Sequence, residues 1–387
     1  MTEFDHAVVG AGIVGSWTAL RLLGLGKKVL LLDQFREPHT RGSSQGQSRI
    51  IRITHIDKFI TEMMPLAFEM WEEVEEYTKK KLIVKTGFLC LDASKESSDD
   101  YKKYVKYMKE TSPENFVELT ATEMVAKYDG KIKYDSLGGV FLDKTGGIML
   151  AHKALLTVQD LYRLRGGTFW DNCQVSEIIP EEEKVKIVTA KGDVVVRSVV
   201  VCAGPWTKKL LTPTLIPSLP LQPLLIKVYY WKEKVKGAYS AKSGFPAFLQ
   251  ISEPHIYGLP GIEYPGLLKV CLHGGPAIND PDERDKTPTD NKILNSLKDY
   301  IKEHLPLLET EPVIVENCMY TMTPDEVFII DKLPKHKNVI IGAGFSGTGF
   351  KTAPIFGRLL SEMAVGVEPF LDVSHYCLSR FDSKEKL

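Results

Sequence analysis

Short apolar runs, each followed by a glycine-rich turn and then by apolar residues at helical spacing, lie near both ends of the chain. The run at 7–9 precedes GAGIVG at 10–15, and the run at 339–341 precedes GAGFSG at 342–347. Short runs rich in β-branched residues are typical of buried strands. The pattern therefore predicts two strand–turn–helix units that frame the chain.

Apolar spacing and turn signals predict further elements between these two units. They are a helix with Phe59, Met63, Leu66, Phe68 and Trp71, a strand at 82–91, a helix with Tyr101, Tyr104, Val105 and Met108, a capping box at Thr120 and Glu123, a helix at 151–164, a hairpin turn at 191–193, a strand at 199–201 that ends in a tight turn, strands at 224–231, 256–258 and 267–272, a helix that ends near His304, and two strands between 313 and the second glycine turn.

The order of these elements predicts two discontinuous domains. Residues 1–81, 146–215 and 315–387 would form a cofactor-binding α/β domain, and residues 82–145 and 216–314 a β-rich substrate domain. With 387 residues, 43% of them hydrophobic, the chain is long enough to bury two cores.

Composition excludes several classes of function. The formal net charge is -1, without the basic surplus of nucleic-acid or anionic-membrane binders. The six cysteines form no CxxC pair, which argues against a metal site and a disulfide framework. The apolar N-terminal stretch is interrupted by His6 and Arg21, which does not fit a signal peptide or a membrane span. We expect a soluble intracellular protein.

The first glycine turn carries the residues of a dinucleotide site. Gly10, Gly12 and Gly15 open a helix, and Asp33 ends the next strand, at 29–32, where a carboxylate reaches a ribose hydroxyl. The second turn has no such acidic residue. One complete fingerprint and one distant glycine turn together predict a single extended cofactor, FAD, contacted from both ends of the chain. Glycines needed only for helix–strand packing remain the alternative, above all for the second turn.

Other segments are predicted to contact the same cofactor. The polar loop at 34–48 and the turn after 199–201 are places where backbone can approach a nucleotide. The predicted contacts are Ser43, Ser44, Arg49, Val175, Gly204, Gly344, Gly347, Thr348 and Lys351.

Several side chains are candidates for substrate chemistry. Arg49 and Arg52 suit a carboxylate, because a guanidinium donates two parallel hydrogen bonds, and Lys351 follows the second glycine turn. Lys269 and His273 share one face of an apolar strand, so they face either a polar cavity or water at a sheet edge. For the arginines and Lys351, a solvated surface position is the alternative.

Seven segments, in the order GAGIVGS, RGSSQGQSRIIR, CAGPWT, HIYGLP, EYPGLLKV, CMYTMTPDEVFIID and GAGFSGTGFK, cover nearly the whole chain. They resemble monomeric sarcosine oxidases, and most closely the animal peroxisomal sarcosine and L-pipecolate oxidases. The resemblance implies an FAD-binding domain of the glutathione-reductase type, similar to D-amino-acid oxidase, with a mixed-sheet substrate domain.

The resemblance also implies roles for single residues. Cys318, by composition a buried structural thiol, would hold one FAD covalently at its 8α-methyl group. Arg52 and Lys351 would bind the carboxylate of a small secondary amino acid, sarcosine or L-pipecolate, and Arg49, Tyr257 and His273 would surround substrate and flavin. Lys269 would lie near flavin N5 and activate oxygen, which yields hydrogen peroxide and an imine.

Two positions depart from the family pattern, since Gln45 and Thr348 replace histidines. The alternatives to an oxidase are a dehydrogenase of the same fold that uses another electron acceptor and a flavin-binding scaffold without activity. The C-terminal EKL resembles the peroxisomal SKL signal. We therefore expect a peroxisomal monomer that an import receptor binds through this tail, with the cytoplasm as the alternative location.

Overall fold

The computed structural model describes residues 3–212, 214–262 and 264–382. The strands in these ranges are β1 (His6–Val9), β2 (Val29–Leu32), β3 (Ser48–Ile51), β4 (Ile83–Lys85), β5 (Phe88–Asp92), β6 (Phe116–Leu119), β7 (Gly139–Asp143), β8 (Gly147–Leu150), β9 (Thr168–Trp170), β10 (Val175–Pro180), β11 (Val185–Thr189), β12 (Val194–Val196), β13 (Ser198–Val201), β14 (Gln222–Glu233), β15 (Ala247–Gln250), β16 (Ile256–Pro260), β17 (Leu267–Leu272), β18 (Leu308–Met322), β19 (Ile329–Leu333) and β20 (His336–Ala343). The helices are α1 (Ile13–Gly24), α2 (Lys58–Thr78), α3 (Asp99–Thr111), α4 (Ala121–Lys127), α5 (Ala151–Leu164), α6 (Thr207–Leu211), α7 (Asn291–His304) and α8 (Ala353–Ala364).

The first of the two large sheets has six strands in the order β19-β20-β13-β1-β2-β9. All its pairs are parallel except that between β19 and β20. Alternate residues of β1 point to opposite faces, so Val8 packs against helices α1, α2, α5 and α8, while Ala7 and Val9 pack against the three-stranded sheet β10-β11-β12. Burial on both faces explains why these strands are apolar throughout.

The first glycine turn joins β1 to α1 as predicted. Gly10 has a φ of +101°, and a Cβ there would lie 2.4 Å from the carbonyl oxygen of Cys202. A Cβ on Gly15 would lie 1.9 Å from the carbonyl oxygen of Gly10. Only glycine therefore permits this close approach of helix to strand.

The second glycine turn differs from the prediction, because helix α8 begins only at Ala353. Gly344, Ser346 and Gly347 have φ values of +65°, +44° and +83°. Left-handed residues at these positions prevent the chain from entering a right-handed helix directly after β20. The segment that carries Lys351 is consequently a set of turns.

An eight-stranded mixed sheet in the order β18-β14-β17-β16-β15-β5-β7-β6 forms the second large layer. Strand β17 pairs with β14 through Lys269 and Tyr230 and with β16 through Lys269 and Leu259. The alternative of a solvated edge strand for Lys269 is therefore wrong. Strand β18 stays in this sheet to Met322 and so crosses the predicted domain boundary at 315; the division into domains itself stays a prediction.

The predicted single strand at 82–91 is also wrong. It divides into β4, in the three-stranded sheet β3-β8-β4, and β5, in the eight-stranded sheet. Gly87, between them, has a φ of +76°, which turns the chain from one sheet to the other. No helix within the described ranges is long and apolar enough to cross a membrane.

Candidate active site

A cavity of about 890 Å³ lies between the two large sheets. At one end it is lined by residues at the carboxyl ends of β1, β2 and β13, and at the other by side chains of β16, β17 and β18. With the exception of Gly15, every residue predicted from the sequence to contact cofactor or substrate lines this cavity: Gly10, Gly12, Asp33, Ser43, Ser44, Arg49, Arg52, Val175, Gly204, Tyr257, Lys269, His273, Cys318, Gly344, Gly347, Thr348 and Lys351. Their roles stay predictions.

At the end of the cavity beside β1 and β2, which we call the nucleotide end, Asp33 forms hydrogen bonds with the first glycine turn. Its Oδ2 accepts a hydrogen bond from the amide of Ala11 at 2.8 Å, and its Oδ1 accepts one from Phe35 at 2.9 Å. Ser44 accepts from the amide of Ile13 at 3.0 Å, at the first turn of α1. The helix N-terminus with its amide donors thus faces the cavity, where a pyrophosphate would be stabilised.

His39 and Glu37 belong to this end, although the sequence reasoning did not single them out. Nε2 of His39 lies 3.1 Å from Oε1 of Glu37 and 3.5 Å from Oδ1 of Asp33. Burial opposes a charge on His39, but the hydrogen bonds that its ring donates to the carboxylates of Asp33 and Glu37 outweigh burial and raise its pKa to about 9. Ligand atoms of these three residues lie within 4.8 Å of one another, a spacing that also suits a cation. The protonated imidazole already supplies the positive charge there.

The cavity fits an extended dinucleotide by its volume and by its polar groups. Cavities of several hundred Å³ are typical of cofactor sites. Among the described residues, Oγ of Ser43 and Oγ1 of Thr321 are buried without a hydrogen-bond partner, and both residues line the cavity. Buried polar groups are normally satisfied, so these hydroxyls call for a polar ligand.

Cys318 lies on β18, where it is 6% exposed, at the junction with the polar loop. Nη2 of Arg49 donates toward its sulfur at 3.7 Å and to the carbonyl oxygen of Ser43 at 2.9 Å. Gln45, at a position where the resemblance implied histidine, donates from Nε2 to the carbonyl oxygen of Asn317 at 2.7 Å. The loop is thereby fixed against the strand, and Arg49 is not a solvated surface residue.

At the opposite end, Lys269 and Lys351 are buried and Arg52 is half-buried. Nζ of Lys269 donates to the carbonyl oxygen of Ser48 at 3.2 Å. The guanidinium carbon of Arg52 lies 4.6 Å from the ring centre of Phe88 and 5.6 Å from that of Tyr104. Lys351 is only 7% exposed, so its surface alternative is wrong.

Two histidines face this cationic group. Nδ1 of His273 lies 3.3 Å from the hydroxyl of Tyr320, and its ring centre lies 4.7 Å from that of His255. Burial, with help from His255, Arg52 and Lys351, lowers the pKa of His273 to about 3; burial and Arg52 lower that of His255 to about 4. Both imidazoles are therefore neutral near pH 7 and act as hydrogen-bonding groups.

His55 and His255 were missed by sequence reasoning. His55 is 3% exposed, and burial, followed by Arg52 and Lys351, holds its pKa well below the usual value. His255 was within reach, because it is the first residue of the HIYGLP segment. His55 carries no local signal, since only the tertiary fold brings it to the cavity.

Known proteins match this chain along its whole length. The family described as FAD dependent oxidoreductase matches residues 5–363. Peroxisomal sarcosine oxidase from Homo sapiens is 41% identical over 391 residues, which cover 99% of this chain and 97% of that protein. Monomeric sarcosine oxidase from Bacillus sp. is 32% identical, with 100% of this chain and 98% of that protein covered. The chain belongs to the sarcosine oxidase family of FAD-dependent oxidoreductases.

The solved structure of L-proline dehydrogenase from P. horikoshii has the same fold, with a TM-score of 0.85 at 20% identity and 99% of both chains covered. Membership in the sarcosine oxidase family confirms three predictions from the sequence. They are the family itself, the α/β FAD-dependent oxidoreductase fold, and a flavin-dependent amine oxidase.

Proposed function

We propose that this protein oxidises the carbon–nitrogen bond of sarcosine or L-pipecolate and uses oxygen as electron acceptor. The products are hydrogen peroxide and an imine, which hydrolyses to aldehyde and amine when it derives from sarcosine. The observation that carries this proposal is the pair of Arg52, which is half-buried, and Lys351, which is buried, at one end of a cavity whose other end suits a dinucleotide. Such a group suits a small anionic substrate, and the relatives from Homo sapiens and Mus musculus are named for sarcosine oxidation.

Arg52 and Lys351 bind the substrate carboxylate in this proposal. Nη1 of Arg52 is buried and lacks a hydrogen-bond partner among the described residues, so a carboxylate oxygen would satisfy it. A guanidinium stays charged at every relevant pH, which makes Arg52 the permanent part of the clamp. Phe88 and Tyr104 hold its plane in place.

Tyr257 and His273 orient the rest of the substrate. Burial raises the pKa of Tyr257 well above its usual value, so its hydroxyl keeps its proton. His273 is neutral, and the Tyr320 hydroxyl fixes its ring. Neutral hydrogen-bonding groups position an amine without adding charge, which suits a reaction that needs a free lone pair on nitrogen.

The nucleotide end holds FAD through Gly10, Gly12, Asp33, Ser43, Ser44, Val175, Gly204, Gly344, Gly347 and Thr348, with Cys318 as the covalent attachment point and Arg49 beside its sulfur. When bound, the flavin takes two electrons from the carbon–nitrogen bond and returns them to oxygen. Lys269 is the cation that favours electron transfer to oxygen, because negative charge develops on oxygen in that step.

Oxygen consumption tests this proposal directly. The flavin-loaded protein is given sarcosine, L-pipecolate and L-proline in turn, and peroxide is measured with a peroxidase-coupled dye. We expect peroxide from sarcosine or L-pipecolate. A flavin-loaded protein that yields peroxide from none of them would refute the proposed activity, and rapid flavin reduction with slow reoxidation in air would assign it to a dehydrogenase.

We further propose that the protein is a peroxisomal monomer. The location is supported by the relatives from Homo sapiens and Mus musculus, which are named peroxisomal sarcosine oxidase. The monomeric state is supported by the bacterial relative, which is named monomeric sarcosine oxidase. The EKL tail, proposed to bind the import receptor, lies outside the described residues. Fusion of a fluorescent protein to the N-terminus, with and without the last three residues, tests the location.

A further inference from the structure

We infer that Lys351 accepts the proton that the substrate ammonium must lose before its carbon–nitrogen bond can be oxidised. The inference rests on the proposed function, since it concerns the same cavity and the same carboxylate. It adds a chemical step to a residue that the sequence predicts as a contact of the substrate carboxylate and of the cofactor.

Lys351 is buried and lines the cavity together with Arg49, Arg52, His55 and His273. The charges of Arg52 and Arg49 act on its side-chain amine, and His55 and His273 interact electrostatically with the same group. Trp71 of α2 donates its indole N–H to the backbone carbonyl of Lys351 at 3.0 Å, which leaves the side chain itself unaffected. Within the described residues, Lys351 forms no ion pair with a carboxylate.

A buried amine without an acidic partner is a base. Lys351 is buried in the cavity wall, and burial, followed by the charges of Arg52 and Arg49, holds its pKa well below the usual value, which favours the neutral amine over the ammonium. His55 and His273 accept a proton less readily, because burial and the charge of Arg52 hold the pKa values of both imidazoles below the usual value.

A secondary amino acid in water is a zwitterion, with a carboxylate and an ammonium separated by one carbon. The arriving carboxylate brings negative charge next to Lys351 and raises the proton affinity of Nζ. Because one carbon separates the two groups, an Nζ that contacts the carboxylate is also within reach of the ammonium. The substrate N–H bond then breaks and leaves its electron pair on nitrogen, while a new N–H bond forms at Nζ.

The charges balance after this transfer. A neutral amine remains on the substrate, and a charged lysine is paired with the carboxylate. No proton leaves or enters the protein overall. A substrate analogue that carries the carboxylate but no ammonium cannot supply this proton, so the protein must take it from water.

Methoxyacetate is such an analogue, because an ether oxygen replaces its amine. Binding to the flavin-loaded protein is measured by titration calorimetry in phosphate and in Tris, whose different ionisation heats report the protons exchanged. We expect uptake of up to about one proton per site in the wild type, and an affinity that falls about tenfold for each pH unit above the pKa of Lys351 in the ligand-free protein. Binding without proton uptake and with a pH-independent affinity would overturn the inference.

Two variants separate proton transfer from carboxylate binding. Lys351→Arg keeps a positive charge that cannot be given up, so methoxyacetate should bind without proton uptake, and kcat with sarcosine should fall near neutrality and recover as pH approaches the pKa of the free amine. Lys351→Met should raise KM as well. Full activity of Lys351→Arg at neutral pH would contradict the inference. A wild-type protein that binds no methoxyacetate and oxidises no amine would instead refute the proposed function.

Discussion

Arg49 donates from a single nitrogen, Nη2, toward the sulfur of Cys318 at 3.7 Å and to the carbonyl oxygen of Ser43 at 2.9 Å. The contact joins the loop before β3 to strand β18, which are far apart in the sequence. It also places a guanidinium nitrogen beside the sulfur that would attack the flavin methyl group. This pair is therefore the feature that best supports Cys318 as the site of covalent flavin attachment.

Replacement of Cys318 by alanine tests that attachment. We expect the flavin to leave Cys318→Ala on denaturation, whereas yellow fluorescence should stay with the wild-type band on an acid-treated denaturing gel. Cys271→Ala is the matched control, because Cys271 is buried in the same apolar cluster but does not line the cavity. Equal fluorescence in Cys318→Ala and wild type would contradict the assignment.

Arg49→Lys should slow the attachment without abolishing flavin binding. The guanidinium donates from Nη1 to the carbonyl oxygen of Ser48 while Nη2 faces the sulfur of Cys318, and a single ammonium cannot occupy both positions. Loss of one charge-assisted hydrogen bond corresponds to about a tenfold to hundredfold slower reaction. The time course of covalent incorporation into apoprotein measures this effect, and an unchanged rate would show that Arg49 acts only on the loop.

Much of the fold could be predicted from local patterns. Strands β1 and β2 and helices α2, α3 and α7 follow apolar spacing, and the first glycine turn was readable because its glycines serve a contact within one strand–turn–helix unit. The prediction of one strand at 82–91 was wrong because the chain passes from one sheet to another at Gly87. Gly87 has a left-handed φ, and a Cβ there would lie 2.9 Å from Cδ1 of Leu142. The position of Lys351, at the surface or in the site, could not be predicted. Three left-handed residues before it shift the start of α8 to Ala353, and apolar spacing does not reveal them.

The site was predictable where its residues lie in glycine turns or family segments, and less so elsewhere. His39, Glu37 and His55 have no local pattern that separates them from surface residues. Their burial and partners arise from the meeting of distant elements, which a single sequence does not display.

Lys269→Met should slow reoxidation of the enzyme by oxygen far more than its reduction by substrate. Lys269 is 3% exposed and lines the cavity, so its removal deletes a buried cation next to the proposed flavin position. We expect the reaction of reduced enzyme with oxygen to slow about a hundredfold or more, with a much smaller change in reduction by substrate. Lys232→Met, an exposed position of the adjacent strand β14, is the control. Equal slowing of both steps, measured by stopped-flow absorbance, would exclude this role for Lys269.

The buried histidines predict loss of stability in acid. Burial lowers the pKa values of His6 and His255 to about 4 and that of His273 to about 3. The unfolded chain binds these protons below about pH 6.5 while the native state does not, so the free energy of unfolding falls as pH decreases from there toward pH 4. His39 has the opposite shift, and its contribution is lost only as pH rises toward 9.

Urea unfolding at a series of pH values measures this slope. His255→Asn removes one titrating group and should reduce the slope by about one proton between pH 4 and 6.5. His375→Asn, at an exposed position, should leave it unchanged. The same slope in His255→Asn and wild type would show that His255 is not buried as a neutral imidazole.

Two glycines of similar backbone conformation allow backbone strain to be separated from a steric clash with His273. Gly347 and Gly366 have φ values of +83° and +79°, so alanine at either position should cost about 1–2 kcal/mol of stability. A Cβ on Gly347 would lie 3.0 Å from Cε1 of His273 and 3.3 Å from Cζ of Tyr320, whereas a Cβ on Gly366 meets no atom within 4 Å. Only Gly347→Ala should therefore displace His273 and weaken methoxyacetate binding, by about tenfold. Calorimetric titration of both variants checks this, and equal affinities would show that the His273–Tyr320 pair lies away from the bound carboxylate.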